Sequence, residues 1–337
     1  MSITALDIGT HSIKAISAKN GKEINIIQAV DVPNVTNLVI PQSDQESAQF
    51  SEMIANLIND YKLDASDVRL SLPESVIANK VIEIPVLTDA ELASAIGWQA
   101  EQYIPIPKED LLLEYQVLFR PEKKTPENKM RVLLVASRKS FIEKLNSIFL
   151  GFGIEPTVIE TQMFSVIRAL DLQSDDPETL IVHLGANNLD LAVVANGMFD
   201  FVFSSKNGSQ LITNAIAQTF GLDLQQAEAY KITYGLNPEQ LEGKLVQLIL
   251  PMVKNVAIEI QKALRYFSQL HPGQTIKRVV LSGGPAEMIG FSQYLSQQLS
   301  NVEILLMAPF AKAKGQIPEN KHLQYTVCMG LVMRKLS

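Results

Sequence analysis

Leu6-Asp7-Ile8-Gly9-Thr10-His11-Ser12-Ile13-Lys14, almost at the N-terminus of a 337-residue chain, decides how the rest is read. Ile3 to Ile8 has the unbroken apolar character of a buried strand, and Ile13, Ala15 and Ser17 alternate as a second strand does. Gly9 sits at the apex of the turn between them. Asn20-Gly21 then reads as a two-residue hairpin turn into a third strand, Glu23 to Ala29. The chemistry at this turn suits a phosphate. Gly9 lets backbone approach an anion, the turn N–H groups and the hydroxyls of Thr10 and Ser12 can donate, and Lys14 adds a point charge. Asp7 can hold magnesium through water. Asp-x-Gly after a strand is also ordinary turn chemistry, so a second copy is what gives the stretch weight.

The second copy is Val182-His183-Leu184-Gly185-Ala186-Asn187-Asn188-Leu189-Asp190 and onward to Asn196-Gly197, which lies on residues 6–21 at a constant offset of 176. Gly185 falls on Gly9, Leu189 on Ile13, and Asn196-Gly197 on Asn20-Gly21. One such hairpin opening each half of the chain predicts an internal duplication.

Composition bounds the rest. The chain is long enough for two cores, and 47% hydrophobic with 19% charged residues is the balance of a globular protein. A net charge of −7 without basic runs argues against nucleic acid. A single cysteine, Cys328, excludes an internal disulfide and a cysteine-rich metal site, and the four histidines show no metal-binding spacing. No signal peptide is recognised at the N-terminus. The most apolar stretch, Leu245 to Val253, is too short to span a bilayer. The expectation is a cytoplasmic protein.

Between the hairpins, Ser43 to Tyr61 reads as a helix and Val68 to Leu72 as a strand closed by Pro73. Residues 76–155 read as a strand–helix–strand–strand–helix insert. Its first helix opens on the capping box Thr88-Asp89-Ala90-Glu91 and stops before Pro105. The link Arg120 to Lys129, with two prolines and six charged residues, reads as a solvated hairpin loop. Thr157 to Glu160 is a strand and Gln162 to Leu170 a helix. In the second half, helices are expected to end at Phe220, over Leu224 to Thr233, and over Lys254 to Leu270. Arg278 to Ser282 is a strand running into Gly283-Gly284-Pro285, and Leu323 to Met333 a helix returning to the first lobe.

Two glycine-turn hairpins, a double-glycine loop and a first-half insert together resemble the actin-like ATPase superfamily. The likeness sharpens at Ala5-Leu6-Asp7-Ile8-Gly9 with Lys14, at Glu91 to Pro107 (ELASAIGWQAEQYIPIP), at Glu114 to Leu118, at Leu134 to Lys139 and at Leu281-Ser282-Gly283-Gly284. These stretches resemble the PilM family of type IV pilus assembly proteins, which shares its insert with the division protein FtsA.

The resemblance implies an α/β, duplicated actin-like (ribonuclease H-like) fold of two lobes. Residues 1–75, 156–180 and 320–337 would build the first lobe and 76–155 the insert. Residues 181–206 and 245–319 would build the second lobe, with 207–244 its small subdomain. It implies ATP or ADP with Mg2+ between the lobes. Asp7, Gly9, Thr10, His11, Ser12 and Lys14 would form the first phosphate loop, and Gly185, Ala186 and Asn187 the second. Asn207, Gly208, Glu228, Lys231, Gly283 and Gly284 would surround sugar and base. Asp7 would hold the metal, and Glu160 falls where the superfamily keeps the polar residue that orients attacking water.

One departure stands out: His183 occupies the place of the family's second-loop aspartate. A neutral imidazole cannot replace a carboxylate in holding hydrated magnesium, so hydrolysis should suffer more than binding. The alternative for His183 is a strand-end residue without a catalytic part. The implied partner is the N-terminal cytoplasmic peptide of a PilN-like inner-membrane protein, received in a groove beside the helix Asp89 to Tyr103. Self-association is a further expectation; nucleic acid and direct membrane insertion are not expected. Trp98 and Tyr103 on that helix are read either as part of the groove wall or as packing inside the insert, the latter at least as readily for Trp98. An ATPase or sugar kinase, or a filament-forming protein of the FtsA kind, stand as alternatives to a peripheral scaffold at the inner membrane.

Overall fold

The computed structural model describes residues 2–21, 23–122, 125, 127–320 and 322–336. The chain opens with three antiparallel strands, β1 (Ser2–Ile8), β2 (Ser12–Asn20) and β3 (Ile24–Pro33), followed by α1 (Asp44–Asp60) and β4 (Val68–Leu72). Ser43 caps α1 in a full capping box with Glu46. The insert follows: β5 (Ile77–Pro85), α2 (Asp89–Tyr103), β6 (Leu111–Phe119), β7 (Lys129–Arg138) and then α3 (Lys139–Leu150). β8 (Pro156–Thr161) and α4 (Gln162–Leu170) complete the first half. The hairpin turn after Asn20 contains Lys22, and the loop before β7 contains Lys123, Lys124 and Pro126, all outside the described residues.

The second half repeats the plan with β9 (Thr179–Leu184), β10 (Leu189–Ala195) and β11 (Met198–Ser205), then α5 (Gln210–Phe220), α6 (Leu224–Tyr234) and α7 (Lys244–Leu270). It ends with β12 (Arg278–Ser282), α8 (Phe291–Gln298), β13 (Glu303–Leu306), β14 (Ala313–Gly315) and α9 (Thr326–Met333). The first sheet runs β3-β2-β1-β4-β8, with β14 added outside β3, and the second runs β11-β10-β9-β12-β13. Each has an antiparallel hairpin triplet followed by two parallel strands. The duplication expected from the hairpins therefore extends over five strands of each sheet. Asn196 and Gly197 both have positive φ and form the tight turn of the second hairpin.

Three boundaries differ from expectation. α3 puts Leu145, Ile148 and Phe149 into the first-lobe core with Phe50 and Ile54, so the insert's own core is confined to β5, α2, β6 and β7 with Ile104 and Ile106 of the link after α2. Chain order suggested otherwise, but α3's apolar face decides where it packs. Phe310 and β14 already lie on the first lobe, ten residues before the expected return, because β14 pairs with β3. α7 begins at Lys244 rather than Lys254. Pro251 costs a hydrogen bond within it, but Leu245, Ile249 and Val253 stay on one buried stripe and keep the first turns in place.

α4 and α9 lie between the sheets. Met163 and Val166 of α4 and Val327 of α9 join the second core, while Cys328, Leu331 and Val332 of α9 join the first. α9 is buried on all sides from Thr326 to Val332, consistent with its lack of a polar face. The helices cross so closely that a Cβ on Gly330 would lie 1.8 Å from the Ser165 carbonyl oxygen.

Two buried carboxyl groups lie within electrostatic reach of each other where the insert leaves the first lobe. Glu74, beyond β4, accepts from the Asn79 amide at 2.6 Å and the Met163 N–H at 3.2 Å. Burial, reinforced by the charge of Asp190 on β10, raises Glu74 to about 7. Burial raises Asp190 to about 6 against the pull of Ser204, and its Oδ1 has no partner.

Gly330→Ala should destabilise the protein by about 1–3 kcal/mol or more, because backbone must shift to admit the methyl. Gly97→Ala, in open space on α2, should stabilise it by about 0.5–1 kcal/mol. Urea unfolding measures both. The raised acids give a pH dependence. Folded Glu74 and Asp190 keep protons that the unfolded chain has released above their model values of 4.5 and 3.8, so their contribution to stability falls as pH rises toward 7 and 6. Asp190→Asn should therefore gain on the parent protein at pH 8 relative to pH 4; an equal difference at both pH values would contradict this.

Candidate functional site at the paired hairpin turns

β1 brings Asp7 to the end of the first sheet, in register with Lys14 on β2. The turn is closed by the Gly9 N–H on the Ser12 carbonyl at 3.1 Å. A Cβ on Gly9 would approach that oxygen to 2.9 Å, which explains the glycine. Asn34 braces the turn from β3's end: its N–H bonds the His11 carbonyl at 2.9 Å and its amide the Gly9 carbonyl at 2.8 Å. The second hairpin repeats this at the same offset. His183 is in register with Asp190, and the Gly185 N–H meets the Asn188 carbonyl at 2.9 Å. The turns touch: the Asn187 amide donates to the Thr10 hydroxyl at 2.8 Å, so the lobes are in contact at their tips.

Asp7 is buried, and both hydrogen bonds it accepts fall on Oδ1, from Ser71 Oγ at 2.9 Å and Gln162 Nε2 at 2.6 Å. Oδ2 accepts none among the described residues. The Lys14 ammonium donates to Ser12 Oγ at 2.7 Å and has no carboxylate partner among them. His183 is buried, its Nδ1 is 3.1 Å from Ser282 Oγ, and the charges of Asp7 and Lys14 reach it. Burial lowers it to about 4 despite Asp7, with Lys14 adding to the effect, so the imidazole is neutral at pH 7. The two hairpins thus present a carboxylate and a cation on one side, and a neutral imidazole on the other.

The remaining expected residues divide into two groups. Gly185, Ala186 and Asn187 turn their carbonyls to the start of α5, accepting from the N–H groups of Ser209 at 3.0 Å, Gln210 at 2.8 Å and Gly208 at 3.2 Å. Donors that could face an anion at this helix start are therefore taken by the second turn itself. Gly208 is packed there so tightly that a Cβ would lie 2.2 Å from the Ala186 oxygen, and the Asn207 amide donates to Ser205 at 3.2 Å. Gly283, at φ +88°, presses on the Leu184 carbonyl, and Gly284 packs on Gln324. Buried Lys231 pairs with half-buried Glu228 at 2.6 Å on α6 and also donates to Thr213 at 3.0 Å and Ser209 at 3.3 Å. Burial depresses Lys231 against Glu228's opposing charge; burial would raise Glu228, but Lys231 and Thr213 hold it below its ordinary value. His11, on the first turn, is close enough to act on Glu228 from across the cleft.

Glu160 does not stand where the resemblance implied. Its carboxylate is saturated by Ser165 Oγ at 2.5 Å, by the Arg168 guanidinium at 2.5 and 2.9 Å, and by Arg334. Burial works to raise it, but these donors outweigh burial and keep it ionised. No oxygen is left to orient water. The group beside Asp7 is Gln162, missed in the sequence, at the first position of α4 just past a parallel strand. Side chains at such a strand-to-helix junction line the crevice of open α/β sheets, and that was the available signal. Trp98 is likewise not packed inside the insert: it is 66% exposed, because α2 buries Leu92, Ile96 and Ala100 instead.

Asp7 can hold a hydrated magnesium ion accompanying a phosphate, since that ion commonly takes only one or two carboxylates. No cluster of three or more metal-ligating side chains occurs among the described residues.

The sequence model of the family described as type IV pilus assembly protein PilM matches residues 5–336. A chain of the PilM-PilN type IV pilus biogenesis complex superposes over 98% of both chains with a TM-score of 0.84 at 21% identity. MreB 5 of Spiroplasma citri, bound to AMPPNP, superposes over 98% of this chain and 94% of its own with a TM-score of 0.55 at 12% identity. The cell division protein FtsA of Helicobacter pylori is 24% identical over 231 residues, 60% of this chain and 46% of FtsA, so the match spans about half of that relative. The fold is the two-lobed actin-like one, and the chain belongs to the PilM family of type IV pilus assembly proteins.

Proposed function

We propose that this protein is a nucleotide-binding scaffold of the pilus assembly platform. It would hold ATP or ADP with Mg2+ between its lobes and use its insert to dock the N-terminal cytoplasmic peptide of a PilN-like inner-membrane protein. The observation that carries the nucleotide half is the pair Asp7 and Lys14. A cation with no anionic partner among the described residues stands in register with a carboxylate that has one oxygen unbonded among them, at a glycine turn facing the other lobe. Lys14 and the hydroxyls of Thr10 and Ser12 would take the phosphates, and Asp7 the hydrated ion. Magnesium would supply charge neutralisation on the phosphate oxygens. Glu228, Lys231, Gly283 and Gly284 would flank the sugar and base.

Slow turnover fits this site better than an active ATPase. Phosphoryl transfer depends on positioning and charge neutralisation. Here the second hairpin offers neutral His183, and Glu160 is bound by two arginines. Gln162 and Ser71 are the polar side chains hydrogen-bonded to Asp7, and Gln162 is the one this reading assigns to orienting a water.

The docking half rests on the insert's surface. Trp98 and Tyr103 on α2 and Leu112, Tyr115 and Phe119 on β6 are exposed, and β6 is a free edge of its sheet. An apolar peptide gains affinity from burying such side chains. No helix among the described residues is long and apolar enough to cross a membrane; in this reading a membrane-bound partner supplies the recruitment.

Calorimetry should show ADP or ATP binding that Lys14→Ala weakens by about 1.5–3 kcal/mol, the worth of a hydrogen bond to a charged group. No heat with either nucleotide at millimolar concentration would refute the reading. Turnover should stay below about one per second, the lower end of ordinary enzymes. His183→Asp should increase the magnesium-dependent part of nucleotide affinity; no change would place His183 away from the metal. Trp98→Ala with Tyr103→Ala should cost about 2 kcal/mol or more of peptide affinity and leave nucleotide affinity intact. Peptide crosslinks mapping to Leu211–Tyr234 would put the partner on the other lobe.

A further inference from the structure

The insert is joined to the first lobe by chain at both ends of its sheet, yet it also reaches the second lobe. β5, an outer strand of the insert sheet, lies against β11, an outer strand of the second sheet. No ladder joins them, so the contact is made by side chains and is reversible in a way a shared sheet is not.

One residue is built for this contact. The register of β10 and β11 jumps between Val193, opposite Phe201, and Val194, opposite Phe199, leaving Asp200 as the extra residue of a β-bulge. A bulge re-aims a side chain out of the regular pattern. Asp200 is almost fully buried. Its Oδ1 accepts from the Arg131 guanidinium of β7, and its Oδ2 from His271 Nε2 at 2.8 Å, just past α7. Arg131 has no other ion pair among the described residues, so the insert commits this cation to the other lobe. Removing one member leaves the other charge in a poorly solvated place, which makes such a pair resist separation.

We propose that Asp200 is a latch that fixes the insert to the second lobe, so that movement of the lobes is passed to the insert. The insert then spans the cleft as a strut, covalently held by one lobe and ion-paired to the other. Its consequence for docking rests on the reading above: nucleotide in the cleft would set the position of the partner-binding surface through Arg131 and Asp200.

Distances between spin labels test it on the full chain. Cys328 is buried and burial raises its thiol, so introduced cysteines label alone. One pair, Ala93→Cys with Gln297→Cys, spans insert and second lobe; a second, Glu52→Cys with Gln297→Cys, spans the two lobes. Arg131→Met, at a half-buried position, and Asp200→Asn, which keeps the shape, each open the latch. In both variants the 93–297 distribution should broaden toward longer distances while the 52–297 distribution keeps its width. An unchanged 93–297 distribution in Arg131→Met overturns the latch, and equal broadening of both pairs overturns it as a device of the insert. In the parent protein, peptide affinity should differ with and without ADP, and Arg131→Met should bring that ratio to one. A parent that binds neither peptide nor ADP defeats the functional reading, while the label distances still decide the latch.

Discussion

The crossing of α4 and α9 is the constraint on which both lobes depend. Gly330 admits the Ser165 carbonyl where any side chain would collide with it. The carbonyls at the end of α9 would be orphans in a buried place, and side-chain donors from the first lobe take them. Arg69 bonds Leu331 and Arg334 at 2.8 and 2.7 Å, Arg168 bonds Gly330 at 2.9 Å, and the Asn20 amide bonds Val332 at 2.8 Å. Asp67 and Glu160 in turn neutralise the arginines. Glu160 is thus spent on holding the C-terminal segment against the first sheet. α4 feeds the second core and α9 feeds both, so their crossing ties the lobes together over packed side chains, whereas at the hairpin tips one hydrogen bond joins Thr10 and Asn187.

The duplicated hairpins share backbone and differ in charge. Register pairs Asp7 with Lys14 in the first and His183 with Asp190 in the second. The second copy therefore carries an acid where the first carries a cation. Asp190 cannot serve an anionic ligand, and burial beside Glu74 pushes it toward the neutral form. The fold has kept the pseudo-symmetry of the backbone and given up the symmetry of the chemistry.

Much of the fold was legible because it is written in local signals. Glycine turns, alternation, capping boxes at Ser43 and Thr88, and the repeat at a fixed offset each have a short-range cause. What escaped depends on tertiary contact. β14 is three residues long and exists because β3 offers an edge. α3 belongs to the first lobe because its apolar face meets α1. At the site, Asp7, Gly9 and Lys14 were readable from the turn, whereas Gln162 and the saturation of Glu160 were not. Position along β8 says nothing about Arg334, which arrives from the far end of the chain.

Occupation of the α5 N-terminus carries the asymmetry further. A helix start is ordinarily a ready anion site, and a duplicated fold should offer one near each hairpin. Here the N–H groups of Gly208, Ser209 and Gln210 are closed by carbonyls of the second turn. Gly208 has no room for even a methyl, so this closure is packed in rather than incidental. In the proposed reading, electrostatic attraction for a phosphate would then come mainly from one side of the cleft, where Lys14 and the first turn stand. A ligand so held would lack the two-sided neutralisation that phosphoryl transfer needs.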